Sequence, residues 1–239
     1  MPAVAFVSPK GGAGKTTASL LLALGLAGRG QRVAMIDSDP NKPLVRWASL
    51  PEAPPLISIH PAPTAQDMRD ALREAQRKQP DWIILDTEGS IRGAMVFTTL
   101  RLDMVITPLA ASQLEAVEAI KAAELVGQHG RRQGRAMLHR ALLTRVPAAV
   151  RPRSVKQVVA QLREKGVDLL PTALIEKEAF RMLFDVGGNL DGLERHGAHG
   201  LDSARTVAAA FVDSVIEALE QSRNRLAGHA GHGTDEVRS

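Results

Sequence analysis

Between residues 8 and 17 the chain reads Ser-Pro-Lys-Gly-Gly-Ala-Gly-Lys-Thr-Thr, a cluster of small residues with two lysines. It follows an apolar run, PAVAFVS, and opens an apolar helical pattern over 15–28. Glycines at a strand-to-helix turn let backbone N–H groups converge on an anion, and the helix N-terminus adds its positive dipole end. In such a cradle Gly11, Gly12, Ala13, Gly14, Lys15, Thr16 and Thr17 surround a nucleotide's phosphates. Lys15 reaches the β- and γ-phosphates, and the Thr16 hydroxyl is placed for Mg2+.

Carboxylates stand at the ends of two later apolar runs. RVAMIDSD carries Asp37 and Asp39, and DWIILDTE carries Asp86, with Glu88 just beyond. A carboxylate at a strand tip beside a phosphate loop can hold the hydration shell of Mg2+ or orient an attacking water.

Apolar runs also mark strands at DMVITPL, MLHRALLTRV and DLLPTAL, the last spanning 168–174. Helical periodicity falls at 15–28, 65–78, near 90–100, at 112–128, 154–166 and 201–226. Gly28, Gly30 and Gly166 stand where helix C-caps belong. The proline-studded PEAPPLISIHPAP reads as a surface connection around a short edge strand. Alternating strands and helices predict an α/β fold: a mostly parallel sheet with helices on both faces, in one domain over 1–226. The histidine- and glycine-rich segment 227–239 reads as a disordered polar tail.

Composition removes several alternatives. The absence of cysteine excludes disulfides, iron–sulfur clusters and cysteine–zinc sites. No charge-free apolar run reaches the roughly 18 residues of a membrane span, and the N-terminus lacks the order of a secretory signal. A cytoplasmic protein without membrane partners is expected. The net charge is +4, with basic residues gathered at 130–135 and 151–156.

The early lysine is not required by an ordinary phosphate loop. Lys10-Gly11-Gly12-Ala13-Gly14-Lys15-Thr16-Thr17 resembles the deviant Walker A motif of the ParA/MinD ATPases. The resemblance implies that Lys10 reaches across an ATP-dependent homodimer to the partner's nucleotide. It implies that Asp39 positions the attacking water, that Asp37 lies nearer the metal, and that Asp86 occupies the Walker B position. DSDPNKPLVRWAS, LLTRV and PTALIEKEAF are similar to the small ParF- and VirC-type branch, whereas Glu88 in DTEGS departs from it. Within that branch the chain is expected to use ATP and Mg2+ and to bind double-stranded DNA nonspecifically at the nucleoid. A ParB-like or cargo-adaptor partner is expected to stimulate hydrolysis. Arg131, Arg132, Arg135, Arg151, Arg153 and Lys156 are the candidate phosphate contacts. The alternative is a metabolic ligase of the same fold that spends ATP on a small substrate.

Overall fold

The computed structural model describes residues 1–88, 100–134, 137–146 and 152–231, the side chains of 152–153 and 226–231 excepted. The apolar runs become strands β1 (Ala3–Phe6), β2 (Val33–Asp37), β3 (Ile57–Pro61), β4 (Trp82–Asp86), β5 (Met104–Leu109), β6 (Leu138–Val146) and β7 (Leu174–Ile175). They form one sheet in the order β3-β2-β4-β1-β5-β6-β7, and every pairing is parallel. Burial on both faces explains why β1, β2, β4 and β5 are continuously apolar rather than alternating.

Alternate residues of each strand serve different layers. Val4, Phe6, Met35, Ile84 and Ile106 face helices α1 (Lys15–Ala27), α2 (Pro43–Ala48), α6 (Glu178–Val186) and α7 (Leu201–Gly231). Ala3, Ala5, Ile36, Ile83 and Leu85 face α3 (Ala65–Arg77). Leu109, Ala141 and Leu143 pack with α4 (Gln113–Arg132) and α5 (Pro152–Glu164). Helices α1 and α7 lie so close that a Cβ on Gly25 would come 2.5 Å from Val212 Cγ2.

The structure departs from the sequence reading in several places. The strand expected over 168–174 shrinks to Leu174–Ile175, with a single bridge from Leu169 to Ala141. Pro171, which has no N–H to donate, stands between them. Helices α2 and α6 and a 3-10 turn at Gly192–His196 were not expected. Helix α7 continues to Gly231, five residues past the expected boundary at 226. The helix expected near 90–100 falls on residues outside the described set, apart from Leu100.

Candidate nucleotide-binding site

Register sets the site. Phe6 and Asp37 are both level with Asp86, so the loop after β1 and the acidic ends of β2 and β4 share one sheet edge. Strand β1 sits between β4 and β5, where the order reverses, and ligands of open parallel sheets bind at such a crevice.

The loop is built as a phosphate cradle requires. Gly12 and Gly14 have φ of 77° and 85°, a left-handed conformation that strains any side-chain-bearing residue. Helix α1 then begins at Lys15 with no side-chain cap, leaving its first N–H groups for an outside acceptor. Thr144, buried at the end of β6, fastens the loop by donating its hydroxyl to the Ala13 carbonyl at 2.8 Å. Its neighbour Arg145 sits at a register break with φ of 49°, and its guanidinium lies 3.6 Å from where a Cβ of Gly12 would be. Gly14, Thr17, Thr144, Arg145 and Phe180 help line a cavity of about 80 Å3 beside the loop.

Lys15 is buried and donates to the Lys10 carbonyl at 3.2 Å. Burial pulls its pKa down, opposed by Asp86, Asp39 and Glu88, so the four groups gather in one electrostatic cluster. Asp86 is almost wholly enclosed, and burial pushes its carboxyl up to about 7. The Thr16 hydroxyl faces it and draws the pKa back, but neither carboxylate oxygen has a partner with full hydrogen-bond geometry. The flanking backbone is pinned: Thr87 Oγ1 donates to the Phe6 carbonyl at 2.7 Å, and Ser38 Oγ donates to the Asp86 carbonyl at 3.1 Å.

The other sequence candidates are placed differently. Asp37 Oδ1 accepts the Asp39 N–H, and Oδ2 accepts those of Leu44 and Val45 at the start of α2. Its carboxylate thus accepts three backbone N–H groups, which fixes it at the strand end where the resemblance expects Asp37 to lie nearer the metal than Asp39. Asp39 is less buried and accepts the Asn41 N–H at 2.8 Å, leaving acceptor capacity toward Lys15. The Lys10 ammonium is half-exposed and pairs with Glu115 at 3.0 Å within its own chain.

The basic candidates among the described residues lie at two edges of the sheet. Helices that follow parallel strands run back along the sheet. Arg131 and Arg132, in the last turn of α4, therefore lie at the edge opposite the loop. Lys156, early in α5, lies at the edge that carries the loop. Arg135, Arg151 and the Arg153 side chain are outside the described residues. Sequence reasoning gave Glu115 and Ser38 no part in this site; the only mark on Thr144 and Arg145 was the recurring Thr-Arg pair.

A family model described as VirC1 protein matches residues 1–222 of this chain. The chain belongs to that family. The sequence is 30% identical over 226 residues to Protein ParA of Rhizobium radiobacter, spanning 92% of this chain and all of that one. Against Protein virC1 of the same organism it is 27% identical over 191 residues, 78% of this chain and 82% of the relative. Among solved structures, apo McdA from Cyanothece matches with a TM-score of 0.68 at 17% identity, covering 92% of this chain and 99% of that one. An ATP complex of a McdA variant gives 0.67 at 16% identity, covering 90% and 96%. Together these place the chain in the ParA/MinD-type partition ATPase family, with the fold of its members. No described helix is long and apolar enough to cross a membrane.

Proposed function

We propose that the chain is a Mg2+-dependent ATPase that forms an ATP-sandwich homodimer, binds duplex DNA without sequence preference and positions or segregates a cargo. A ParB-like or adaptor partner would trigger hydrolysis, and the protein would work at the nucleoid. The observation that carries this reading is Asp86: an enclosed carboxylate with both oxygens unmatched, facing Thr16 and close to Lys15 at the mouth of a glycine cradle. A buried charge in that condition is costly unless a cation joins it.

Each group then has a task. The backbone around Gly12 and Gly14 cups the phosphates, and the Lys15 ammonium leaves the Lys10 carbonyl for the β- and γ-oxygens. Thr16 and Asp86 would hold Mg2+, which supplies charge neutralisation on those oxygens. Asp39 orients the attacking water in line with the leaving group. Asp37 fixes the segment that carries Asp39. Lys10 serves the nucleotide of the second subunit, and Lys156 sits on the edge where two subunits would present phosphate contacts. The VirC1 match and the full-length similarity to ParA favour this reading over the ligase.

Nucleotide binding, hydrolysis and duplex binding measured on one set of variants test it. Lys15→Ala should abolish ATP binding. Asp39→Ala should bind ATP and, with ATP present, duplex DNA, yet hydrolyse about a hundredfold more slowly. Duplex affinity should need ATP and fall linearly on a log–log salt plot. Wild-type hydrolysis by the Asp39 variant, or no ATP-dependent DNA binding at low salt, defeats the corresponding part of the reading.

A further inference from the structure

Strand β6 begins at Leu138, at the end of the sheet away from the glycine loop. Its outer edge is paired only further along: β7 pairs with Thr144 and Val146, and the bridge from Leu169 meets Ala141. Beside Leu138, His139 and Arg140 a cleft of about 320 Å3 opens, walled by α4, β6, the turn after α5 and the far part of α7. Gly127 and Gly166 line it without side chains, and Gly166 holds its turn at φ of 68°, a conformation that strains other residues.

Cations from three elements converge on this cleft. The Arg140 side chain is 12% exposed; its Nη1 donates to the His139 carbonyl at 2.8 Å and meets Asp168 Oδ2 at 3.0 Å. Arg225, on α7, is close enough to act on it. Burial draws the Arg140 pKa down, Asp168 opposes this, and the Arg225 charge lowers it further. Arg131, on α4, lays its guanidinium along the wall, with Nη1 3.4 Å from where a Cβ of Gly127 would be. Ser222, one turn before Arg225, adds a hydroxyl. His139 is bonded to Thr107 at 2.9 Å, and burial pushes its imidazole down to about 4, so it brings no charge at neutral pH. Among the described residues the single carboxylate in the lining is Asp168, itself 71% exposed. Three guanidiniums thus share one solvated carboxylate, and an enclosed cation in that condition is costly unless an anion joins it.

We propose that this cleft is an anion site separate from the glycine loop, taking a compact ligand with a phosphate or diphosphate group. The planar fork of arginine matches phosphate oxygens two at a time. The positive charge that Asp168 leaves unmatched suits a dianion. The volume is at the lower end of small-ligand pockets, which are concave and hold a few convergent polar groups. The recess favours a small ligand over a duplex, because Arg140 lies below the surface that a nucleic-acid backbone would follow. A ligand held here bridges the start of β6 and the ends of α4 and α7, three elements distant in sequence.

Inorganic pyrophosphate is the probe, used in a Lys15→Ala background so that the glycine loop does not compete. Calorimetric titration should show one saturable site per chain. Arg140→Gln and, separately, Arg225→Gln should each weaken it about tenfold, the loss of one charge-assisted contact. Arg225 is exposed, so its variant folds even if Arg140→Gln does not. Asp168→Asn removes the competing carboxylate and should tighten binding about two- to fivefold, a gain that a purely structural ion pair would not give. With Lys15 intact, Arg225→Gln should leave ATP affinity unchanged; a matching loss would put both ligands in one site and overturn the proposal. No saturable binding in Lys15→Ala, or an affinity that neither arginine substitution alters, also overturns it. Duplex DNA bound through Arg140 and Arg225 by a chain that ignores pyrophosphate would assign the cleft to a nucleic-acid backbone, and the small-anion site would fall.

Discussion

Asp86→Asn is the perturbation that bears most directly on the site. In the nucleotide-free protein the wild-type carboxyl is raised from its ordinary 3.8 to about 7 by burial, with Asp37 and Asp39 adding repulsion and Thr16 and Lys15 opposing it. Between those values the folded chain holds a proton that the unfolded chain has released, so stability falls as pH rises through this window. Linkage over that shift amounts to about 4 kcal/mol at pH 8 and about 2 kcal/mol at pH 5. Asparagine does not ionise, so the substitution removes this cost but leaves a buried amide with donors to satisfy, at about 1–3 kcal/mol. The variant should therefore be more stable than wild type by about 1–3 kcal/mol at pH 8 and within about 1 kcal/mol of wild type at pH 5.

Urea denaturation at both pH values, in chelator and without nucleotide, reads this difference directly. Adding Mg2+ and ATP should reverse the order, because wild type gains from ligand linkage while the variant has lost the carboxylate that helps hold the cation. A variant that is destabilised equally at pH 5 and pH 8 would refute the idea that Asp86 is an uncompensated charge. One that is stabilised equally by Mg2+ and ATP would refute its place in the metal site.

Thr144→Val keeps shape but strands the Ala13 carbonyl, so nucleotide affinity should drop about tenfold, the equivalent of one ordinary hydrogen bond. Thr144→Ser should bind like wild type in the same calorimetric titration, and equal affinities for both variants would show that the bond does not organise the loop. Gly25→Ala adds a methyl 2.5 Å from Val212 Cγ2, whose side chain is fully buried. Overpacking of about 1–3 kcal/mol should outweigh the roughly 1 kcal/mol gain in helix propensity. The melting temperature should fall and recover in Gly25→Ala with Val212→Ala, whereas a higher melting temperature in the single variant would deny the close α1–α7 approach.

What the sequence disclosed was whatever one element decides alone. The cradle is a single strand, turn and helix, and Asp86 ends a strand whose five residues are all buried, so both were legible from type and spacing. Asp37 shows the limit. Its strand-end position matched that of Asp86, but its role depends on α2, six residues long and entered through Lys42 at φ of 50°, too short to show a period. The 168–174 strand failed because Pro171 interrupts pairing that the apolar pattern alone would allow. Thr144 lies 131 residues from Ala13, and Glu115 lies 105 from Lys10; only the sheet order makes neighbours of them.

That order also explains why the site is assembled as it is. Strand β1 has β4 on one side and β5 on the other, with β6 next beyond. The loop it carries therefore receives one contact from each neighbour in turn: the Asp86 charge from β4, Glu115 through the turn after β5, and the Thr144 hydroxyl from β6. These contacts grip different parts of the loop. Thr144 holds the Ala13 carbonyl and so the cradle's shape, which nucleotide does not need to disturb. Asp86 and Glu115 instead face the two lysines, the charged groups of the motif. The rigid contact is a neutral hydrogen bond enclosed in the core, and the exchangeable ones are ionic and tied to lysines that meet at a single carbonyl. A loop fastened by neutral bonds and poised by charged ones can respond to a polyanion without losing its geometry. This division predicts that Thr144→Val weakens ADP and ATP binding by the same factor in calorimetric titration, and a loss confined to one nucleotide would deny that the Ala13 bond sets the cradle's shape.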